Sequence, residues 1–458
     1  MLQFGWATRS ITPVQPVMLN GQMQVRISQA IENPVTVTAL ALERDGEAAI
    51  FVSCDLVNIT ATLLSETRAR LTEWLPAFDV SRLILHATHT HTSLVYEEGA
   101  YQLPEGSGAL TPIQCRALIV NRIAEAAAAA WNGRASGAVA RGFGHAVVGH
   151  NRRACYRDGT AVMYGSTDTP AFSHIEGYED HSVNLLYFFD AQHQLNGVVV
   201  NLACPSQETE NGMTLSADFW HEVRLELARR FGEGVALLPQ CAPAGDQSPH
   251  IMLGQSPSPH SFPINKAEEH MRTLRGLTRR QEIARRIANA IEDVYAVVRN
   301  SAVSDLPLRH HTETLELPGR IITPEDYQYA LNELQYVLDQ DPKVSWAQRR
   351  LRTMIAQYEA GGVKPPCPIE LHVVRLGDVA FATNPFELYL DYALRIQTRS
   401  RAGQTFLIQI ANGASDYLPS QKAVAKSYGG LAADNSVGPE GGQILVERTL
   451  ALIANLWQ

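Results

Sequence analysis

Two histidines separated by one threonine, His89-Thr90-His91, follow the apolar run Leu83-Ile84-Leu85 and precede two further hydroxyl residues, Thr92 and Ser93. A β-strand that ends in two imidazoles carries both to the rim of a sheet, where open α/β folds do their chemistry. Imidazole is also the commonest biological metal ligand. Taken alone, the pair reads equally as a strand cap beside a solvated side chain.

Other polar loops add to it. Asn201-Leu202-Ala203-Cys204-Pro205-Ser206-Gln207 is followed closely by Asp218 and His221. If Ser216 caps the helix beginning there, Asp218 and His221 share a face near its first turn, one to orient a ligand and one to supply it. The plain alternative is an aspartate on the helix dipole with His221 at the surface. In Gly245-Asp246-Gln247-Ser248-Pro249 a serine stands between a glycine turn and a proline, a rigid close-approach setting that a nucleophile requires and that ordinary turns share. Asn384-Pro385-Phe386-Glu387 follows an apolar strand and opens a helix, placing a carboxylate suited to a mixed N/O zinc site. Tyr417 and Tyr428 lie in turns after Gln404 to Ile410, where packing is the usual role of a tyrosine. Arg152, in His150-Asn151-Arg152-Arg153, is of the type that holds an oxyanion or carboxylate.

The elements that must position these residues follow from periodicity. Val35 to Glu43 and Ala48 to Leu56 read as strands joined by Arg44-Asp45-Gly46-Glu47; a helix runs from Thr60 to Leu75, and the strand carrying the histidines comes next. Thr111-Pro112 starts an alanine-rich helix reaching Trp131. Val183 to Phe189, Gly197 to Leu202 and Val235 to Leu238 are strands, and a helix led by Ser216 stops at Phe231-Gly232. A loop at 252–266, a helix to Arg299, a strand from Ser304, helices over Thr323 to Leu338 and Ser345 to Tyr358, and a closing strand, helix, strand and helix from Gly442 complete the chain. Apolar strands repeatedly give way to loops dense in His, Ser, Asp and Cys. The expected fold is therefore α/β (α+β), a layered mixed β-sheet core flanked by helices with its active site at the rim of the sheet. No internal repeat or linker is evident, so residues 1–458 are expected to form one catalytic unit with a helical insertion at 320–362.

Composition narrows the partners. The 458 residues carry a formal charge of −9 with no acidic tail and no basic stripe interleaved with aromatics, which argues against nucleic acid. Six scattered cysteines without a CxxC pair suit reduced thiols. No run reaches the ~18 apolar residues of a membrane span and the N-terminus has no signal pattern, so a cytoplasmic protein acting on a small-molecule substrate is expected. The oligomeric state is left open.

In order along the chain, these segments resemble the catalytic domain of the neutral/alkaline ceramidases and the broader bacterial superfamily that bears it. The resemblance is carried by Gly5-Trp6-Ala7-Thr8-Arg9-Ser10-Ile11-Thr12-Pro13, Ser53-Cys54-Asp55-Leu56, Ala87-Thr88-His89-Thr90-His91-Thr92, Asn151-Arg152, Ser216-Ala217-Asp218, Gly245-Asp246-Gln247-Ser248-Pro249, Pro385-Phe386-Glu387 and Tyr417-Leu418-Pro419. It implies a hydrolase dependent on zinc (Zn2+), with His89, Glu387 and Tyr417 as metal ligands. His91, Arg152 and Tyr428 would line the substrate site, with Ser248 at the position of the catalytic serine.

Two departures matter. The family's second zinc-binding histidine belongs in the loop Ala203-Cys204-Pro205-Ser206-Gln207, which has none; Cys204 replaces it, His221 reaches in from behind, or the metal is lost or different. The ceramidases proper also carry an immunoglobulin-like C-terminal domain and are exported, features not expected here, so a smaller soluble N-acyl substrate is favoured over ceramide. Two competing readings stand beside the metal-dependent amide hydrolase. One is a carbohydrate-active hydrolase using Asp218, Glu387 or Asp246 as acid and base; the other is a non-catalytic ligand-binding member.

Overall fold

The computed structural model describes residues 1–99, 101–252, 276–340 and 346–458. The loop expected at 252–266 falls outside them from residue 253, as does Ser345, the expected start of the second insertion helix.

Three sheets are built by one connection used three times. In each, an antiparallel pair is followed by a helix that returns the chain to a third strand, parallel to the second, while an outer strand flanks the first. The first sheet runs Leu83–Ala87, Glu47–Cys54, Thr36–Arg44, Gln3–Ser10, edged by Ala135–Ser136, with the crossover helix Ala61–Trp74. The second runs Ala236–Cys241, Leu195–Leu202, Ser182–Phe189, Ala138–His145, with helix Phe219–Phe231. The third runs Gln404–Ile408, Val379–Thr383, Cys367–Leu376, Leu308–Leu317, with helix Leu390–Arg399. A second helix completes each unit: Pro112–Asn132, Gly276–Val298 and Pro439–Leu456. The expected mixed α/β layers are present. The recurrence is one of connection, invisible in a chain without a residue repeat.

Strand alternation explains the layering. In Thr36–Arg44, Leu40 and Leu42 face a central cluster while Val37, Ala39 and Ala41 face the helices, so both faces are apolar and buried. Phe51 and Ile84 from the first sheet, Phe188 and Val199 from the second, and Phe381 and Phe406 from the third fill the same central cluster. The helices cover the outer faces through three separate apolar clusters.

Several local expectations are sharpened. The first hairpin turn is two residues, Asp45 and Gly46, with φ of 54° and 82°, which is the twist-matched I′ arrangement. Thr111 caps its helix through a reciprocal capping box with Gln114, and Pro112 occupies the first helical position. The stretch 320–362 holds helices Pro324–Gln340 and Trp346–Glu359, and Ile322, Ala330, Leu351 and Met354 form a small cluster with Ala432 and Ala433. All six cysteines are free, and no helix among the described residues is long and apolar enough to cross a membrane.

Buried polar side chains join the sheets at their seams. Ser53 Oγ donates to the Pro239 carbonyl at 2.6 Å, linking first to second. Asn201 Nδ2 donates to Leu407 O at 2.7 Å and Gln404 Nε2 to Gly142 O at 2.9 Å, linking second to third. Asn412 accepts from Leu85 N at 2.7 Å and donates to Leu83 O at 3.1 Å, linking third to first. At this last seam His86 is fully buried with neither ring nitrogen hydrogen-bonded, and burial pushes its pKa down to about 3.

His86 therefore stays neutral in the folded chain while the unfolded chain protonates it below pH ~6.5. The folded pKa is the lower one, so stability is full above pH ~6.5 and declines as pH falls toward 3. Urea unfolding at pH 7 and pH 5 is expected to show roughly 2 kcal/mol less pH-dependent loss in His86→Leu than in the parent. An unchanged slope in the variant would remove this account.

Candidate active site

The C-terminal ends of the parallel strands deliver the site. Strand Leu83–Ala87 leads directly to His89 and His91; Ala236–Cys241 leads to Gly245 and Ser248; Val379–Thr383 and Gln404–Ile408 lead to Glu387 and Tyr417. Glu387 does not open a helix as expected. It lies in the two-residue strand Glu387–Leu388, paired in parallel with Tyr417–Leu418 so that Glu387 and Tyr417 are direct partners, and the helix begins only at Leu390. The pairing explains how residues thirty apart in sequence arrive together.

The hydroxyl residues around the histidines fix their loop. Thr90 and Thr92 both donate to Ser216 O at 3.0 Å, and Ser93 donates to Asp55 O at 2.6 Å. His89 has a positive φ of 65°, and its Nδ1–H donates to Val57 O at 2.7 Å, leaving the Nε2 lone pair free to face the site. That Nε2 is 3.2 Å from His91 Nε2 and 3.6 Å from Glu387 Oε2.

Arg152 is the buried cation at the centre. Its guanidinium donates to Tyr164 OH at 2.9 Å, Gly245 O at 3.0 Å, Tyr417 OH at 3.3 Å and Gln207 Oε1 at 3.4 Å, and stands 3.9 Å from Glu387. Burial opposes the charge, but the oxygens of Tyr164, Tyr417 and Glu387 outweigh it and raise the pKa further. Because Arg152 claims Gln207 Oε1, the Gln207 amide nitrogen is turned toward His91 Nε2, 2.9 Å away. His91 Nε2 then accepts that proton, and Nδ1 faces Glu210 at 3.7 Å. With its lone pair engaged by the Gln207 amide, His91 Nε2 stands 3.2 Å from His89 Nε2, whose lone pair is the one left facing the site. Burial lowers the His91 pKa well below its usual value, with His89 and Arg152 adding to the effect.

Ser248 is fully buried, with Oγ accepting from Tyr164 OH and from the backbone N–H of His250, both at 3.2 Å. Tyr428 stands against Tyr417 with ring centroids 5.4 Å apart, and its pKa is pushed up to about 12 by burial and then by Glu387. Burial also raises Tyr417, followed by Glu387, to which its phenol is hydrogen-bonded.

Three expected residues are not brought into this cluster. Ser216 is not the helix cap; Asp218 is, with φ of 53°. Both Asp218 oxygens are engaged by Phe219 N, Glu208 N, Thr209 N and the Thr209 hydroxyl, so Asp218 clamps the segment that presents Gln207 and does not itself face the histidines. Cys204 points into the apolar cluster under the second sheet, where its thiol donates to Pro205 O and burial drives its pKa well up, against a thiolate. The residue of that loop at the histidines is Gln207. His221, one turn into its helix, is surrounded by Arg224, Arg280, Asp55 and Glu32. Asp246, weighed as an acid or base, is likewise committed, accepting from Asn151 Nδ2 and Leu390 N.

Sequence reasoning overlooked Arg26, Tyr164, Gln207, Glu210 and His250. Arg26 is buried, and its guanidinium donates to the carbonyls of Asn20, His91, Glu210 and Gly212 at 2.6 to 2.8 Å. It pins three loops around His91. Nothing local marks it, because its partners are backbone atoms up to 186 residues away.

Among the described residues no three His, Cys, Asp or Glu side chains gather as a metal cluster. The set that converges is mixed and includes a phenol: His89 Nε2, Glu387 Oε2 and Tyr417, with His91 Nε2 beside them. Donors to one tetrahedral ion at ~2.0–2.1 Å lie roughly 3.3 Å apart; His89 Nε2 stands 3.6 Å from Glu387 Oε2 and 3.2 Å from His91 Nε2, and in chemical type this N/O set suits a divalent cation.

Two solved structures share this architecture. Neutral ceramidase from Pseudomonas aeruginosa superposes with a TM-score of 0.67 at 20% identity over 99% of this chain and 75% of the other. A ceramidase complexed with C2 gives 0.68 at 18% identity with the same coverage. No family model and no curated protein matches the chain by sequence. At such identity the likeness establishes the fold, which is that of neutral ceramidase.

Arg26→Ala is expected to leave four carbonyls without their charged donor, that of His91 buried and the other three part-buried, and to cost at least roughly 3 kcal/mol in urea unfolding, since hydrogen bonds from a charged donor are worth ~1.5–3 kcal/mol each. A loss below ~1 kcal/mol would show that the arginine does not hold these loops.

Proposed function

We propose that this chain is a metal-dependent hydrolase that cleaves an amide-type N-acyl bond in a small soluble substrate. The observation that carries the reading is the convergence of a buried serine, an arginine charge and a His–Glu–Tyr donor set at the strand ends of a ceramidase fold.

His89, Glu387 and Tyr417 would hold the metal, and zinc suits their mixed N/O character. When bound there it would polarise the scissile carbonyl and make a water molecule more acidic. The remaining work belongs to the chain. Arg152, braced from four sides, offers a preorganised positive charge to an oxyanion and costs no reorganisation during the reaction. Tyr428 stays protonated across the neutral range, being shifted to about 12, and so can donate a hydrogen bond at the same locus. Ser248, held by Tyr164 and the His250 amide, has its hydroxyl proton left to donate toward substrate or water. His91 completes the polar wall.

The cavity beside this centre supports a small substrate. It encloses about 230 Å³ and is lined by Asn20, Gly21, Gln22, Met23, Asn58, Tyr101 and Tyr428, which are three amides and two phenols with one glycine and one thioether. Such walls suit a polar acyl or amine group better than a long alkyl chain. The carbohydrate alternative is weakened, because Asp218 and Asp246 have both carboxylates committed to structural hydrogen bonds.

Elemental mass spectrometry of protein purified without chelator is expected to find about one zinc per chain. His89→Ala is expected to lose both the metal and N-acyl turnover, whereas Cys204→Ala keeps the metal. Metal retained in full by His89→Ala, or lost in Cys204→Ala, would displace this ligand set. Arg152→Ala is expected to lower kcat per folded molecule by about 10²–10³-fold on a short N-acyl amide, with the folded fraction measured alongside by urea unfolding; an unchanged kcat would take the oxyanion role from it.

A further inference from the structure

We infer that a second cavity, bounded by Tyr164 and His250, receives the leaving group as a small polar amine, and that His250 protonates it. The inference rests on the amide-hydrolase reading above. The cavity encloses about 330 Å³, and its walls include Tyr164, Ser166, Thr167, Asp168, His250 and Met252. Only Met252 among these is apolar. The volume is at the lower end of the ~300–1,000 Å³ of small-molecule sites, and its hydroxyls suit an amine that carries hydroxyl donors.

Two contacts tie this cavity to the reacting centre. Tyr164 OH donates to Ser248 Oγ, and the backbone N–H of His250 donates to the same atom. A leaving group seated here therefore lies on the Ser248 side of the scissile bond, next to the His250 imidazole.

The imidazole is placed between acceptors. Its Nε2 is 3.3 Å from the Glu208 carbonyl and 3.8 Å from the Glu208 carboxylate; its Nδ1 is 3.8 Å from the Glu210 carboxylate; the Tyr164 ring packs 5.8 Å away. Glu210 also faces His91 Nδ1 at 3.7 Å, so one carboxylate stands between the two histidines. A proton given up by His250 can thus be replaced from the same side of the site.

The step balances without a further reagent. Water adds to the carbonyl carbon; as the adduct collapses the C–N bond breaks, its electron pair stays on nitrogen, and that nitrogen takes the His250 proton. The proton shed by the attacking water restores His250, so amide and water become carboxylic acid and amine.

The test compares the parent with His250→Asn on substrates of one acyl group and different leaving groups: a panel of N-acetylated polar amines, and p-nitrophenyl acetate, whose phenolate departs without a proton. The variant is expected to lose about 10²–10⁴-fold in kcat on the amides and less than ~10-fold on the ester. Equal losses on both, or undiminished amide turnover, overturn the assignment, as does a parent that turns over the ester and no amide. A parent inactive on every acyl substrate overturns the amide-hydrolase reading as well. Melting temperatures are measured alongside, and His250→Gln serves in the same comparison if His250→Asn does not fold.

Discussion

Everything at the site depends on three sheets sharing one apolar core. Leu40, Phe51, Phe188, Val199, Phe381 and Phe406 come from different sheets and pack into a single cluster, so no sheet can slide without opening a cavity. With the sheets fixed in that way, the ends of their parallel strands are fixed too. The seams are closed by Ser53, Asn201, Gln404 and Asn412, each bonding a backbone carbonyl or amide of a neighbouring sheet. Those side chains satisfy main-chain groups that burial would otherwise leave unpaired, and they set the register between sheets.

On that frame the loops are held by charge placed where water does not reach. Arg26 gathers four carbonyls, Arg152 gathers two phenols, a carbonyl and an amide, and Asp218 gathers three backbone amides and a hydroxyl. A buried charge is tolerated when it is paired or hydrogen-bonded, and here those hydrogen bonds join loops distant in sequence. This divides residues of similar type into different roles. Asp218 and Asp246 serve the architecture because their oxygens are saturated, while Glu387 keeps an oxygen toward His89. Gln207, from the loop in which the resemblance implies a further metal-binding histidine and the chain has none, stands beside His91 and orders the pair by its amide orientation.

The positive φ of His89 and of Asp218 belongs to the same economy of positions. Both are non-glycine residues in the left-handed region, His89 just past the end of strand Leu83–Ala87 and Asp218 at the cap of helix Phe219–Phe231. Their backbone conformation is held by hydrogen bonds on either side, His89 by Leu56 O and Val57 O, Asp218 by Ser216 Oγ and Phe219 N.

The sequence by itself determined the α/β class, most of the long helices and the inner strands of the sheets, and it singled out His89, Ser248, Glu387 and Tyr417 in segments that follow apolar strands, while the outer strands Gln3–Ser10 and Ala138–His145 were not read from it. The former are legible because alternation, capping residues and turn residues act over a few positions. The threefold use of one connection was not legible, since it resides in topology and needs no residue to recur. Nor was the placement of Cys204 and His221 away from the histidines, because which way a buried side chain points is decided by neighbours from other strands. Tertiary structure alone paired Glu387 with Tyr417, aimed Gln207 at His91 and set Arg26, Tyr164 and His250 around the centre. Their partners are mostly backbone atoms or side chains tens to hundreds of residues away, and pairing at such range is fixed by the packing of whole sheets and not by local spacing.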